Sequence, residues 1–105
     1  MLLVNTDYIS GKELETLGIV KGSIVQTKNF GKDFMAGIKT LVGGKVKEYT
    51  DMLNQARQIA VKRMVDEAQA LGADAVVNVR YASSSVMQGA AEVIAYGTAV
   101  KYKSL

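Results

Sequence analysis

The chain has no glycine or proline between Gly44 and Gly72, and no other interval free of both residues is as long. Such a stretch predicts one continuous helix from about Val46 to Leu71, because glycine and proline are the residues that most destabilise a helix interior. Gly72 is placed to end this helix in the left-handed conformation that glycine adopts without strain. The other segments of the chain must therefore pack around one long helix.

The apolar side chains of this helix cover a wide arc. With about 100° between successive residues they span roughly 200°, whereas an ordinary surface helix needs little more than about 100°. This width predicts that one flank packs on the chain's own sheet and the other flank on a second surface. The arc is formed by Tyr49, Met52, Leu53, Ala56, Ile59, Ala60, Val61, Met64, Val65, Ala68, Ala70 and Leu71.

Three charged residues, Arg57, Arg63 and Glu67, interrupt the apolar arc. Arg63 and Glu67 are four residues apart and so lie on the same side of the helix. They predict either an ion pair at the edge of an interface or aliphatic stems that lie along apolar surface with the charged groups in water. The alternative is a charged pocket for a small anion or a metal. Together with Tyr49, these residues are the candidate ligand-binding or interface residues.

Short apolar runs on both sides of the helix predict strands. The last run is apolar on both faces until Lys101, which predicts that both faces are covered. Gly97 within it marks the close approach of another backbone or a bend, and Lys21-Gly22 interrupts an earlier strand and predicts a bulge or tight turn. The predicted strands are Leu2–Val4, Leu14–Lys28, Ala75–Tyr81 and Glu92–Tyr102, with a short helix between Asn29 and Leu41 and a polar connection that begins at Ser83-Ser84-Ser85.

This order of elements predicts a single α+β domain over residues 1–105. We expect two layers, in which a mostly antiparallel sheet from the N- and C-terminal strands packs on the short and the long helix. Those helices cover one face of a sheet well and two faces poorly. Since 49% of the residues are hydrophobic, the chain has more apolar surface than so small a domain can bury. We therefore expect some of this surface to form an interface between copies of the chain in a homo-oligomer.

The composition excludes several kinds of site. The chain contains no histidine and no cysteine, which removes zinc–thiolate sites, cysteine nucleophiles and the commonest general base. The nearest carboxylate pairs are Glu48 with Asp51 and Asp66 with Glu67, and the sequence supplies no further oxygen ligands for a hard metal ion. The sequence thus indicates no catalytic residue and no cofactor, and it leaves the ligands of any metal unknown.

The charge and the apolar pattern bear on partners and location. The net charge of +3 is spread along the chain without a nucleic-acid reading module, so the pattern does not favour nucleic-acid binding. No apolar run approaches the roughly 18 residues that would span a membrane, and the N-terminus lacks the basic and apolar regions of a signal peptide. The sequence therefore predicts a soluble cytoplasmic protein.

Segments spread over nearly the whole chain match a known pattern. They are Gly43-Gly44, Tyr49, Ala56-Arg57, Ala60, Met64, Ala68, Leu71 to Val77, and Ala95 to Val100. Together they resemble the YbjQ-like family, which also carries a heavy-metal-binding label. The resemblance implies a small α+β subunit that assembles into a homopentameric ring and has no established enzymatic activity. It supplies no agreed catalytic residues, and Arg57 matches the arginine of the family's helix.

Three functions remain open at this point. The first is a non-enzymatic homo-oligomer that binds a small ligand or a partner at its subunit junctions. The second is metal binding through carboxylates, as the family label suggests. The third is an enzyme that uses Glu67 as acid or base, with Arg57 or Tyr49, at a subunit junction.

Overall fold

One helix lies on one face of a four-stranded sheet in the computed structural model, which describes residues 1–27, 44–87 and 90–104. The predicted helix between Asn29 and Leu41 lies outside the described residues. The elements are β1 (Leu2–Leu3), β2 (Leu14–Thr27), α1 (Gly44–Ala70), β3 (Ala75–Met87) and β4 (Ala90–Tyr102).

The sheet is mixed. Its strand order is β1-β3-β4-β2, with β4 antiparallel to both β2 and β3, and β1 parallel to β3. The first and last strands are therefore not neighbours, because β3 lies between them. The α+β class and the two layers are confirmed for the described residues.

The buried stripe of α1 consists of residues that are each four positions apart. Met52, Ala56, Ala60, Met64 and Ala68 are all at most 1% exposed. Residues four apart form a continuous ridge along a helix, and the alanines of this ridge let the helix backbone come close to the sheet. The ridge packs mainly on β2 and β4.

The closest approach of helix and sheet is at Gly22 of β2. A Cβ atom at this position would meet the Ala60 carbonyl oxygen, the Met64 amide nitrogen and the Arg63 Cβ of α1. The predicted bulge at Lys21-Gly22 is therefore wrong, since Gly22 lies in regular strand and serves close packing. The register of β2 against β4 shifts earlier, at Gly18, whose φ is 142°.

Both ends of the helix are close to their predicted positions, and its C-terminus has the expected glycine. Gly72 has φ of 77°. Its amide donates to the Gln69 carbonyl at 2.9 Å, and the Ala73 amide donates to the Ala68 carbonyl at 3.1 Å. These two bonds form the Schellman arrangement that satisfies the last carbonyl groups of a helix.

Asp74 joins the end of the helix to the end of β4. From the sequence, its carboxylate could accept amide hydrogens in the turn that follows the helix. Instead, the carboxylate accepts from the Tyr102 amide at 2.8 Å, and the Asp74 amide donates to the Val100 carbonyl at 2.9 Å. Its role is thus to hold two distant segments together.

β3 is longer than predicted. It continues past Tyr81 to Met87, so Ser83-Ser84-Ser85 lie in a strand and not in a loop. Serine is tolerated here because β4 supplies backbone hydrogen bonds along the whole segment and the serine side chains are exposed. The residues from Tyr81 to Met87 are all exposed.

The two faces of β4 are covered unequally. On the helix side, Val93, Ala95, Gly97 and Ala99 are buried, as predicted. On the opposite side, Val100 packs with Ala75 and Val77 under partly buried side chains of the N-terminal segment and Tyr102.

Further along this opposite face, apolar side chains remain uncovered in the described structure. Ile19 is 78%, Val25 53% and Tyr96 40% exposed. Complete cover of both faces is therefore not provided by the described part of the chain. No helix within residues 1–27, 44–87 and 90–104 is long and apolar enough to cross a membrane.

Candidate functional site

Arg63 and Glu67 bind the outer edge of β2. Strand β2 pairs with β4 on one side only, so its backbone groups on the other side need other partners. The Arg63 guanidinium donates to the Ser23 carbonyl at 2.6 Å, and the Glu67 carboxylate accepts from the Lys21 amide at 3.2 Å. Two helix side chains thus take the positions that a neighbouring strand would otherwise occupy.

The predicted ion pair between Arg63 and Glu67 is not the arrangement found. Within the described residues, the ion pair of α1 is Lys62–Asp66, at 3.0 Å. Arg63 and Glu67 lie one position further along and turn to the strand instead. Both are exposed, but their charged groups are bound to backbone. An unpaired strand edge is a common site of unwanted pairing between chains, and these two side chains occupy that edge at β2.

We expect Arg63→Met to lower the free energy of unfolding by about 1 kcal/mol. A hydrogen bond to a charged group contributes about 1.5–3 kcal/mol, and exposure to water reduces that figure. Thermal or urea unfolding followed by circular dichroism measures the loss. Lys62→Met is the matched control, because an exposed i,i+4 ion pair contributes only about 0.3–0.5 kcal/mol. Equal stability of the two variants would show that the bond to Ser23 contributes nothing.

Arg57 lies in a different place, on the flank of α1 that faces β3. An open groove of about 380 Å³ runs between this flank and Tyr81 of β3. We call it the Arg57 groove; it is lined by Arg57, Gln58, Val61, Lys62 and Tyr81. The Arg57 guanidinium donates to the side-chain oxygen of Asn54 at 2.7 Å.

The structure brings only some of the candidate residues together. Arg63 and Glu67 both contact β2, Arg57 lines the groove, and Tyr49 is half-buried near the start of α1 and outside the groove lining. Tyr81 is not among the residues predicted from the sequence, because the sequence places it at the end of an alternating strand. The uncharged run from Tyr81 to Met87 was the available signal of an exposed edge.

Metal binding finds no support among the described residues. They contain no group of three or more acidic side chains close enough to hold an ion. Asp66 is paired with Lys62, and Glu67 is bound to the Lys21 amide. A hard cation needs about six or more oxygen ligands, some of which are usually carboxylates. The donor set therefore does not fit a heavy-metal or hard-cation site within one copy of the described structure.

The fold and the site define a helix-on-sheet α+β protein whose charged helix residues hold a strand edge. The family model YbjQ_1, described as "Putative heavy-metal-binding", matches residues 1–103, and the chain belongs to this family. A UPF0145 protein of Clostridium novyi is 68% identical over 96% of this chain and 98% of its own length. A UPF0145 protein of Alkaliphilus metalliredigens is also 68% identical, over 97% of this chain and 99% of its own length.

A solved structure shares the fold. It is a protein with unknown function of the DUF74 family from Pediococcus pentosaceus, with a TM-score of 0.72 and 98% coverage of each chain. At 13% sequence identity, this likeness establishes the architecture alone. The family and the fold are thus known, and the function has to be argued from the surface of this chain.

Proposed function

We propose that the chain is the non-enzymatic subunit of a homo-oligomer that binds a small ligand or a partner at its subunit junctions. The observation that carries the proposal is the outer edge of β3 from Tyr81 to Met87, which we call the β3 edge. Among the described elements, β1 pairs only with the start of β3, and none pairs with the β3 edge. This segment contains no charged residue and no proline.

An edge of this kind favours addition of another strand. Proteins that stay monomeric usually interrupt their sheet edges with charges, prolines, bulges or covering side chains. Here Arg63 and Glu67 cover the edge of β2 at Lys21 and Ser23. Among the described residues, the β3 edge has no charge, no proline and no covering strand, and its register against β4 shifts between Ser85 and Met87. Tyr81, Val86 and Met87 are 55%, 48% and 66% exposed, so pairing at this edge would also bury apolar surface.

The uncovered sheet face provides a second, different surface. Ile19, Val25 and Tyr96 lie on the face opposite the helix. A contact between two unlike surfaces of identical subunits generates a closed ring or an open filament. The family resemblance supports a ring of five. A ring of identical subunits requires two surfaces that complement each other, and the described structure leaves both the β3 edge and this sheet face uncovered on each copy.

The proposal that the chain is not an enzyme rests on the surroundings of Glu67, the candidate acid or base. Glu67 is exposed, and its carboxylate accepts a backbone hydrogen bond. A carboxylate that acts as a general acid near neutral pH usually lies in an apolar, water-poor pocket. Glu67 has no such pocket in the described structure.

The register of the sheet identifies the amide to test. The Lys21 amide and the Ser23 carbonyl point away from β4, so the residues opposite them, Tyr96 and Ile94, turn their own backbone groups toward β3. Backbone groups alternate in direction along a strand. The amide of Ser83 therefore points to the outer edge, while the amides of its two neighbours point to β4.

We expect Ser83→Pro to convert the assembly to monomers without unfolding them. Proline lacks the amide hydrogen and is tolerated on an edge strand where that hydrogen faces outward. Size-exclusion chromatography with light scattering at micromolar concentration measures the mass, which we expect to be about five times the 11.3 kDa of one chain for the unmodified protein. Circular dichroism checks the fold.

Ser83→Ala is the matched control, because it removes the hydroxyl group and keeps the amide. It should remain assembled. An unmodified protein that is monomeric at micromolar concentration would contradict the proposed function. An assembled Ser83→Pro variant would show that the subunits associate elsewhere than at the β3 edge.

A further inference from the structure

The Arg57 groove has the size and the position of a small-molecule site. Its volume of about 380 Å³ lies within the range of about 300–1,000 Å³ for ligand pockets. It occupies the helix side of the sheet beside β3, where α1 does not cover the strand, because α1 packs mainly on β2 and β4. One side of the groove is open, at the point where the β3 edge begins.

The charge of the groove is positive. Two cationic side chains, Arg57 and Lys62, lie on its helix wall, and none of the described residues that line it is acidic. Lys62 is paired with Asp66 at 3.0 Å, whereas the partner of Arg57 is the neutral amide of Asn54. A guanidinium has five N–H donors, and the bond to Asn54 uses one of them. Arg57 therefore determines the charge that a ligand must carry.

Two other residues that line the groove, Tyr81 and Val61, can pack against the apolar part of a ligand. The Tyr81 side chain is 55% exposed on the opposite wall, and Val61 is half-buried and packs against the main core. An aromatic side chain next to a guanidinium can hold a flat ring by stacking while the guanidinium binds an oxyanion through two parallel hydrogen bonds.

We propose that the Arg57 groove binds a small aromatic oxyanion, with a carboxylate or phosphate group on Arg57 and the ring against Tyr81 and Val61. The inference deepens the proposed function and rests on it, because it names the chemistry of a ligand at a junction that the β3 edge would form. The carboxylate and the phosphate share the same recognition by a planar guanidinium.

The test uses benzoate, phenyl phosphate and the neutral analogue benzamide as probes, with calorimetry on the full-length protein. We expect both anions to bind saturably and benzamide at least about tenfold more weakly, because charge-assisted bonds contribute about 1.5–3 kcal/mol and each 1.4 kcal/mol is a factor of ten. Arg57→Met should weaken both anions at least about tenfold. Lys101→Met, an exposed lysine outside the groove, should leave both dissociation constants unchanged.

Tyr81→Ala separates ring recognition from charge recognition. It should weaken benzoate toward the affinity of acetate, while acetate itself is unaffected. Equal affinities of Arg57→Met and Lys101→Met for the anions, or equal binding of benzoate and benzamide, would overturn the proposal.

Light scattering on the same samples distinguishes a failure of this proposal from a failure of the proposed assembly. A monomer that binds benzoate through Arg57 would contradict the proposed assembly and support the groove. An assembled protein in which the Arg57→Met and Lys101→Met variants bind alike would support the assembly and overturn the groove.

Discussion

Gly22→Ala should lower the free energy of unfolding by about 3 kcal/mol or more, the upper end of the usual range for an overfilled core. The added Cβ would meet the Ala60 carbonyl oxygen and the Met64 amide nitrogen. Backbone atoms in the middle of a long helix cannot rotate away as a side chain can, so α1 would have to move off β2. Urea unfolding followed by circular dichroism measures the change, which is large against a typical total stability of about 5–15 kcal/mol.

Gly18→Ala in the same strand is the control. Gly18 has a positive φ of 142°, and nothing lies within 4 Å of an added Cβ. The substitution therefore introduces backbone strain of about 1–3 kcal/mol without a steric contact. If Gly22→Ala costs no more than Gly18→Ala, the helix does not lie as close to β2 as the structure has it.

The long helix could be predicted from the sequence because its limits are local. Gly44 and Gly72 bound an interval without helix-breaking residues, and α1 covers nearly all of it. The conformation of Gly72 also follows from its own lack of a side chain. Interactions within a few residues determine such features, so one sequence is enough to predict them.

The extent of β3 could not be predicted in the same way. Ser83-Ser84-Ser85 has the composition of a loop, and its strand conformation depends on β4, to which it is paired in the sheet. The roles of the glycines show the same limit. Gly97 was correctly expected to mark a close backbone approach, but the bulge expected at Gly22 lies at Gly18. The partner of each glycine is distant in the sequence.

The candidate residues could be identified from the sequence by their chemical type, but their contacts could not be predicted. The i,i+4 spacing of Arg63 and Glu67 left an ion pair between them as one of several predicted arrangements. Their partners, Ser23 and Lys21, are instead 40 and 46 residues away. A single sequence does not show which strand edge the helix will cover. Arg57 was singled out as a charge within an apolar arc, but the groove needs Tyr81, which only the sheet brings close.

The wide apolar arc of α1 predicts two packing surfaces on the helix. In the structure, the fully buried stripe is the ridge from Met52 to Ala68, and Val61 and Val65 on the flank are half-buried. Leu71 at the end of the arc is 50% exposed, but most of the larger exposed apolar side chains of the described chain lie on the strands, including Ile19 and those of the β3 edge. The oligomer remains a prediction. The surface that supports it is the exposed apolar surface of the strands and not the flank of the helix.

Gly97→Ala in the central strand β4 is expected to cost about 2–3 kcal/mol. The new Cβ would lie 2.8 Å from both the Val76 Cγ1 and the Val77 carbonyl oxygen, next to the β3 bulge at Asn78, whose φ is 54°. One of these contacts is with a side chain, so removing it should relieve part of the strain.

A double-mutant cycle tests that relief. In the Val76→Ala background, we expect Gly97→Ala to cost at least about 1 kcal/mol less than it does alone, because residues in contact show coupling of about 0.5–3 kcal/mol. Val93→Ala, another buried valine on the helix side of the sheet, provides the matched background in which the cost of Gly97→Ala should stay unchanged. Additive losses in both backgrounds would mean that Val76 does not contact Gly97. If only the Val76→Ala background reduces the cost of Gly97→Ala, the Val76 side chain of β3 lies against Gly97 of β4. The same pairing of β3 with β4 determines the position of Tyr81 and the rest of the β3 edge.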